Sequence, residues 1–368
     1  MLKKFSVKNF KNFKDELVLD FSKVRDYTFD SKYIKNGLIN KSLLYGHNNT
    51  GKSNLGAAVM DIVRCLTESE GHNNILYNDY INGDYVDDIV EFEYEFKFDT
   101  KIVTYSYKKD PNANLLSEKL KENNTLLFSY NYRTNKFENN IEEAKILDLS
   151  GRNNETNRSV LYFIYHTNIS WKKDSTLKQF MDFVSGMLWF RSLRSNEFIG
   201  LITSVESMHD FVIKNDLLKD FEDFLRKCGQ DYRLCKLISG SRETIGVKYH
   251  NYISRFEHVA STGTQALWLF YYWMNRTKGI SFLFLDEFDA FYDTRLSKYI
   301  LSYVNERDNF QSILTTHNTN LISNEIMRPD CYLRLADGKI SSFADSTNKT
   351  IREMHNLEKM MLSGEFGE

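Results

Sequence analysis

The chain has 368 residues, 42% of them hydrophobic and 27% charged, with 27 Phe, 22 Tyr and only 2 Pro; that is apolar mass enough for one large domain carrying an insertion, with no Pro-rich linker. A net charge of −2 removes the bulk electrostatic case for nucleic-acid binding, though not a local basic face. Cys65, Cys228, Cys235 and Cys331 show no C-x-x-C spacing, the N-terminus has no apolar signal core, and no long uncharged apolar run occurs, so we expect neither a zinc site nor a disulfide frame nor a membrane partner, and a soluble cytoplasmic protein.

Two short alternating runs between Phe5 and Phe21 predict paired strands. An apolar run from Leu38 to Tyr45 stops abruptly at Gly46, and Asn54 to Thr67 then reads as a helix. The strict alternation of VEFEYEFKFD, followed by KIVTYSY, predicts an antiparallel hairpin within Val86 to Ser106, with further strands between Leu126 and Phe137. From Leu147 to about His250, apolar residues recur at helical spacing in STLKQFMDFVSGMLWF and MHDFVIKNDLLKDFEDFLRKC, which predicts a mainly helical insertion over 147–254. A helix at Thr264 to Met274, a buried strand at Ile280 to Leu285, a helix at Thr294 to Asn305 and strands at Gln311 to Thr315 and near Cys331 to Leu335 follow. The tail, 346–368, is expected to hold an amphipathic helix from Lys349 to Leu362. The core is therefore expected to be discontinuous, built from 1–146 and 255–345, and of α/β class.

Gly46-His47-Asn48-Asn49-Thr50-Gly51-Lys52-Ser53 fits G-x-x-x-x-G-K-[ST] between an apolar strand and a helix. Small and turn-forming residues let the backbone wrap a phosphate with its N–H groups inward, and the helix N-terminus adds a favourable dipole. Lys52 is expected to reach the β- and γ-phosphates and Ser53 to hold Mg²⁺. Phe282 to Leu285 is an apolar strand ending in Asp286 and Glu287, which suits one acid for the metal and one to polarise water. Ser312 to Thr316 is a second strand, ending in His317, placed to contact the γ-phosphate. Ser261-Thr262-Gly263 opens the helix that precedes the acid strand; it reads either as an N-cap or as a second anion-binding element.

Together GHNNTGKSNL, STGTQ, FLFLDEFDAF and TTHNTNLIS resemble Walker A, a degenerate signature, Walker B with D-loop, and the switch region of ABC-type ATPases of the SMC, RecF and OLD kind. The pattern looks closest to OLD-like AAA-domain ATPases, such as the RloA/AbiL-type and PARIS-type ATPases of phage-defence modules. The resemblance implies an ABC-type head with a mixed sheet, an antiparallel β portion, ATP and Mg²⁺ as ligands, and a homodimer or higher homo-oligomer. In it, Ser261 and Gly263 of one subunit would close over ATP held by the other. Glu287 would be general base, His317 the γ-phosphate sensor and Asp289 a D-loop contact. The Q-loop glutamine of the pattern is missing, because no Gln lies between Lys52 and Gln179. We expect a slow ATPase that regulates a separate nuclease or toxin; a RecF- or SMC-like DNA-binding ATPase is the alternative.

Overall fold

The helix that follows the phosphate loop, α1 (Lys52–Leu66), is buried along nearly its whole surface. A helix apolar on all sides needs a layer on each face. The computed structural model, which describes residues 1–67, 79–145, 158–167, 170–191, 197–200, 207–240, 242–276 and 279–367, supplies both layers.

The first layer is an antiparallel sheet. It is built from β1 (Leu2–Lys8), β2 (Leu17–Asp20), β6 (Val90–Phe98), β7 (Lys101–Lys109), β8 (Leu115–Glu122), β9 (Thr125–Asn131) and β10 (Lys136–Asn139), in the order β10-β9-β8-β7-β6-β1-β2. Alternation sets its faces: Val90, Phe92, Tyr94 and Phe96 are buried while Glu91 and Glu93 are exposed. A small hairpin, β3 (Ile34–Lys35) and β4 (Leu38–Ile39), leads into β5 (Lys41–Tyr45).

The second layer is the mixed core sheet, ordered β12-β11-β16-β17-β5-β18-β19. Its strands are β5, β11 (Met187–Arg191), β12 (Glu197–Gly200), β16 (Phe282–Asp286), β17 (Gln311–Thr316), β18 (Tyr332–Ala336) and β19 (Lys339–Ser342). β11, β16, β17, β5 and β18 run parallel, and the two edges are antiparallel. β5, β11, β16 and β17 are buried at every position, as a parallel sheet covered on both faces requires. Gln311 joins the layers at their base: its amide accepts from Leu2 N at 2.9 Å and donates to the carbonyls of Leu2 and Ile39 at 3.0 and 3.1 Å.

The remaining elements are α2 (Val160–Tyr165), α3 (Thr176–Ser185), α4 (Met208–Lys214), α5 (Leu218–Lys227), a three-stranded sheet of β13 (Leu234–Ser239), β14 (Arg242–Lys248) and β15 (Ile253–Arg255), then α6 (Phe256–Val259), α7 (Thr262–Asn275), α8 (Thr294–Asn305) and α9 (Leu357–Leu362). The expectation of a mainly helical insertion over 147–254 needs correction, apart from 147–157 and other stretches outside the described residues. Its MLWFR segment is a core strand, and 234–255 is a small sheet. Gly186 ends α3 where only a glycine fits, since a Cβ would lie 2.5 Å from Gly279 O, and the residues after it pair with β16 as β11. The run MHDFVIKNDLLKDFEDFLRKC is two helices, broken where Asp216 takes a positive φ of 53°. In the tail, only Leu357–Leu362 is α-helical. Asn324 Nδ2 donates to the carbonyls of Arg352, Glu353 and His355 at 3.0, 3.2 and 3.0 Å, which commits that backbone to tertiary contacts. No described helix is long and apolar enough to cross a membrane.

α1 is tied to both layers. Against the core sheet the fit is tight at Gly56, where a Cβ would meet Trp189 Cε2 at 2.9 Å and Phe284 Cε1 at 3.0 Å. Toward the antiparallel sheet, Tyr94 donates to Ala58 O at 2.9 Å. Buried Asp61 accepts from Lys109 Nζ at 2.5 Å and from the hydroxyls of Tyr107 and Tyr80, each at 2.8 Å. Burial alone would discharge Lys109, but the Asp61 carboxylate outweighs it and raises the ammonium above its ordinary pKa. Asp61→Ala strands that ammonium and should cost roughly 3–5 kcal/mol by denaturant unfolding; a cost below about 1 kcal/mol, the level of an exposed pair, would contradict this reading.

Lys41, at the start of β5, is 1% exposed and donates to Phe310 O at 2.7 Å. Burial lowers its pKa to about 7. The unfolded chain binds this proton up to the ordinary lysine pKa of about 10.4, so the stability deficit is full below pH 7 and fades as pH rises toward 10. Lys41→Met should therefore gain most over the wild type near pH 7 and lose that advantage near pH 10, as read by unfolding at each pH.

Candidate functional site

The loop between β5 and α1 is held open by its own geometry. Asn49 and Gly51 take positive φ values of 66° and 102°. Thr50 Oγ1 donates to His47 O at 2.9 Å. His47, Asn48 and Asn49 are exposed, while Gly46 and Lys52 are buried. Gly46 has no space for a side chain, because a Cβ would lie 2.7 Å from Thr50 Oγ1 and 3.1 Å from Leu335 O. No side chain caps α1, so its first amides face the loop with the helix dipole behind them.

Lys52 Nζ folds back onto the loop, donating to Gly46 O at 2.9 Å and His47 O at 3.2 Å, and it lies 2.9 Å from His317 Nε2. Burial lowers its pKa, partly offset by Glu287, Asp286 and Asp289. His317 Nε2 is in turn 3.1 Å from Glu287 Oε1. The loop lysine, the strand-end histidine and the second acid thus form one continuous chain of contacts at the C-terminal ends of β5, β17 and β16.

The acid turn is fixed by hydroxyls of β17. Thr315 Oγ1 donates to Asp286 Oδ1 at 2.9 Å and accepts from Glu287 N at 2.7 Å. Thr316 Oγ1 donates to Asp289 Oδ2 at 2.7 Å. These bonds hold Glu287 at φ 48°, a left-handed conformation rare for a non-glycine residue. Asp286 is 5% exposed. Burial raises its pKa, with the hydroxyls of Ser53 and Thr315 pulling the other way. Asp289 is raised by burial as well, against the Thr316 hydroxyl.

Ser53, in the first turn of α1, is thus near enough to Asp286 for its hydroxyl to favour the carboxylate. This oxygen pair suits a hard divalent cation such as Mg²⁺. Among the described residues no group of three or more His, Cys, Asp or Glu gathers as a metal site, so an ion here would complete its shell with phosphate oxygens and water. The loop amides, Lys52 and the dipole fit a polyphosphate.

Ser261 caps α7, its Oγ accepting from Thr264 N at 3.2 Å. The N-cap reading thus describes it within one chain. Gly263 lies beside the turn after Asp289, where a Cβ would come within 3.3 Å of Phe291 O. Asp289 spends its carboxylate on Thr316 rather than at an exposed edge.

Two site-shaping residues carried no motif. Asn12, in the turn between β1 and β2, donates to Thr50 O at 3.1 Å and accepts from Asn54 Nδ2 at 2.6 Å. It thereby fastens the antiparallel sheet to the phosphate loop. Arg191 ends β11 as the register partner of Asp286. Only the assembled sheet makes either visible.

The family model described as "AAA domain, putative AbiEii toxin, Type IV TA system" matches residues 42–323. Among solved structures, an SMC head bound to the C-terminal winged-helix domain of ScpA aligns over 98% of this chain and 99% of its own, at TM-score 0.51 and 15% identity. An SMC head with an extended coiled coil, bound to the C-terminal domain of ScpA derived from Pyrococcus furiosus, aligns over 98% of both chains at TM-score 0.50 and 14% identity. At such identities the likeness speaks for the fold alone, and the fold is that of an ABC-type ATPase head. No curated protein sequence matches the chain.

Thr315→Val keeps the shape of the residue but removes both hydroxyl bonds. It should destabilise the chain by about 1–3 kcal/mol, measured by thermal unfolding, and an unchanged midpoint would show that the acid turn holds itself. The matched region covers most of the chain, and on that ground the chain belongs to the AAA-domain family that includes the putative AbiEii toxins.

Proposed function

We propose that the chain binds ATP with Mg²⁺ at the α1 N-terminus, hydrolyses it slowly to ADP and phosphate, and uses the cycle to control a separate effector protein, a nuclease or toxin, in bacterial antiphage defence. The observation that carries the first part is the contact chain Lys52–His317–Glu287 beside the Ser53–Asp286 pair. One crevice then holds a cation for phosphate, an oxygen pair for the metal, and a base.

In this reading Lys52 leaves its resting partners, Gly46 O and His47 O, for the β- and γ-phosphate oxygens, which the loop amides also bind. Ser53 and Asp286 would hold the metal, which would supply charge neutralisation. Glu287 accepts a proton from the attacking water, and its left-handed backbone aims the carboxylate into the crevice. His317 lies between Lys52 and Glu287, and from there it can donate to the γ-phosphate. Ser261 and Gly263 act in trans, closing on the nucleotide of a second copy. The core is discontinuous, from 1–146 and 255–345, with β11 and β12 lent to it by the intervening segment. The tail from 346 braces the switch through Asn324 and through Glu358, which accepts from Thr319 Oγ1 at 3.0 Å. The effector rests on the family's printed link to toxin–antitoxin systems.

Lys52→Ala should abolish measurable ATP binding and phosphate release. Glu287→Gln should bind ATP but lose turnover by roughly 10²–10⁴-fold, the worth of a general base, and should sediment as a dimer in ATP. Wild-type turnover by Glu287→Gln would remove the base assignment. For the effector, the Glu287→Gln protein with ATP should retain a stoichiometric nuclease- or toxin-like partner from its native host; recovery of DNA alone would favour a DNA-binding ATPase.

A further inference from the structure

The small sheet β13-β14-β15 buries one face and exposes the other. Ile245 and Val247 of β14 are buried, and alternation puts Gly246 and Lys248 on the opposite face. Gly246 is the low point of that second face: a Cβ there would meet Ile253 Cγ2 at 2.8 Å and Leu237 Cβ at 3.0 Å. Ile253, which pairs with Lys248, is 46% exposed, so part of this apolar floor is open to solvent.

Two cations stand side by side at one end of it. Lys248 N donates to Arg233 O at 2.8 Å, one step beyond the Leu234–Val247 pairing, so Arg233 and Lys248 are opposite each other on adjacent strands. Both are exposed, and among the described residues neither has an ion-pair partner. Like charges directly opposite on a sheet repel, and an anion lying between them would relieve that cost. Arg242 adds an exposed cation on the same face of β14, while the strand's exposed acid, Glu243, falls on the other face by alternation. In a chain of net charge −2 this is a local concentration of positive charge.

Next to Lys248, the turn from β14 to β15 holds two aromatic rings in solvent. Tyr249 N donates to Tyr252 O at 2.9 Å and closes the turn. The two rings stack, with centroids 4.8 Å and planes 21° apart, and they are 39% and 62% exposed. Core packing does not account for them. His250 and Asn251 at the tip are exposed as well and offer hydrogen-bonding groups.

Open cations beside open aromatic faces suit a single strand of nucleic acid, whose phosphates follow the cations while its bases stack on the rings. An acidic peptide would use the cations and leave the tyrosines idle. A duplex would offer phosphates but keep its base faces inside its own stack. Loops and ends of RNA present unstacked bases together with 2′-hydroxyls, which the His250–Asn251 tip could hydrogen-bond. We propose that the exposed face of β13-β14-β15, with the Tyr249–Tyr252 turn, is a binding site for single-stranded RNA. Arg233 and Lys248 hold the phosphates, and Tyr252, the more exposed ring, carries a base.

The test is fluorescence anisotropy of a labelled oligouridine of about twelve nucleotides, within the range such sites cover, titrated with the full chain in the absence of ATP. Failure here leaves the nucleotide reading untouched, and failure of ATP to bind leaves this one untouched. Wild type should bind, and log K should fall linearly with log salt. Replacing both cations, Arg233→Gln with Lys248→Gln, should weaken binding by roughly tenfold or more and lower the salt slope by about 1.4, the share of two phosphate contacts on a single strand. Tyr252→Ala should weaken binding by roughly tenfold while leaving the salt slope unchanged, because stacking carries no charge. All three positions are exposed, and an unchanged thermal midpoint shows that each variant folds. No binding by wild type, or full binding by both variants, would overturn the proposal. So would an oligothymidine that binds as tightly as the RNA, which would make the ligand single-stranded DNA, or displacement of the RNA by an oligoglutamate of equal charge, which would make it an acidic peptide.

Discussion

Everything near the crevice depends on a single buried helix having no exposed side. α1 must be covered by two sheets, and each sheet grips it by a different means. The core sheet approaches so closely at Gly56 that Trp189 and Phe284 leave no space for a methyl group. The antiparallel sheet reaches in with polar groups, and Asp61 accepts from Lys109, Tyr107 and Tyr80 together. Packing of the first kind fixes distance; hydrogen bonds of the second kind fix rotation and register. With its body locked, the N-terminus of α1 has one direction in which to present its free amides, and the phosphate loop is built there.

The gathering of the candidate site residues is a consequence of strand order. β5, β17, β16 and β11 are neighbours, so the groups at their ends converge without any long loop. The hydroxyls of Thr315 and Thr316 then lash the acid turn of one strand to the next. They hold Glu287 in a backbone conformation that it would not keep alone. Asn12 performs the same service from the other layer, since it links the β1–β2 turn to Thr50 O and Asn54.

Much of this was legible in the chain, and the reasons differ by element. The phosphate loop and the acid strand could be read because each is local: the glycines, the lysine and the apolar run stand next to one another. Strands β6 and β7 were legible from alternation, and α8 was expected at Thr294 to Asn305, where the structure has it, capped by Asp293. What could not be read was non-local. SGMLWF has the same apolar content whether it continues α3 or enters the sheet, and its parallel pairing with β16, far away in the chain, decides. The tail has helical spacing from Lys349, yet Asn324 claims three of its carbonyls. Asn12 and Arg191 sit in no motif, because their partners are 38 residues away in the one case and on the neighbouring strand in the other. The signature was ambiguous as a string and stays so within one chain, where Ser261 is a helix cap.

We infer that this crevice holds a metal–nucleotide complex on the uncapped end of α1. The most direct test is a crystal structure of the chain grown with Mg²⁺ and the β,γ-imido analogue of ATP. The triphosphate is expected to be wrapped by residues 46–53, with Lys52 moved from Gly46 O to the phosphates and a metal ion touching Ser53 and Asp286. A triphosphate bound elsewhere, or a loop left empty with Lys52 still on Gly46 O at saturating nucleotide, would contradict this inference.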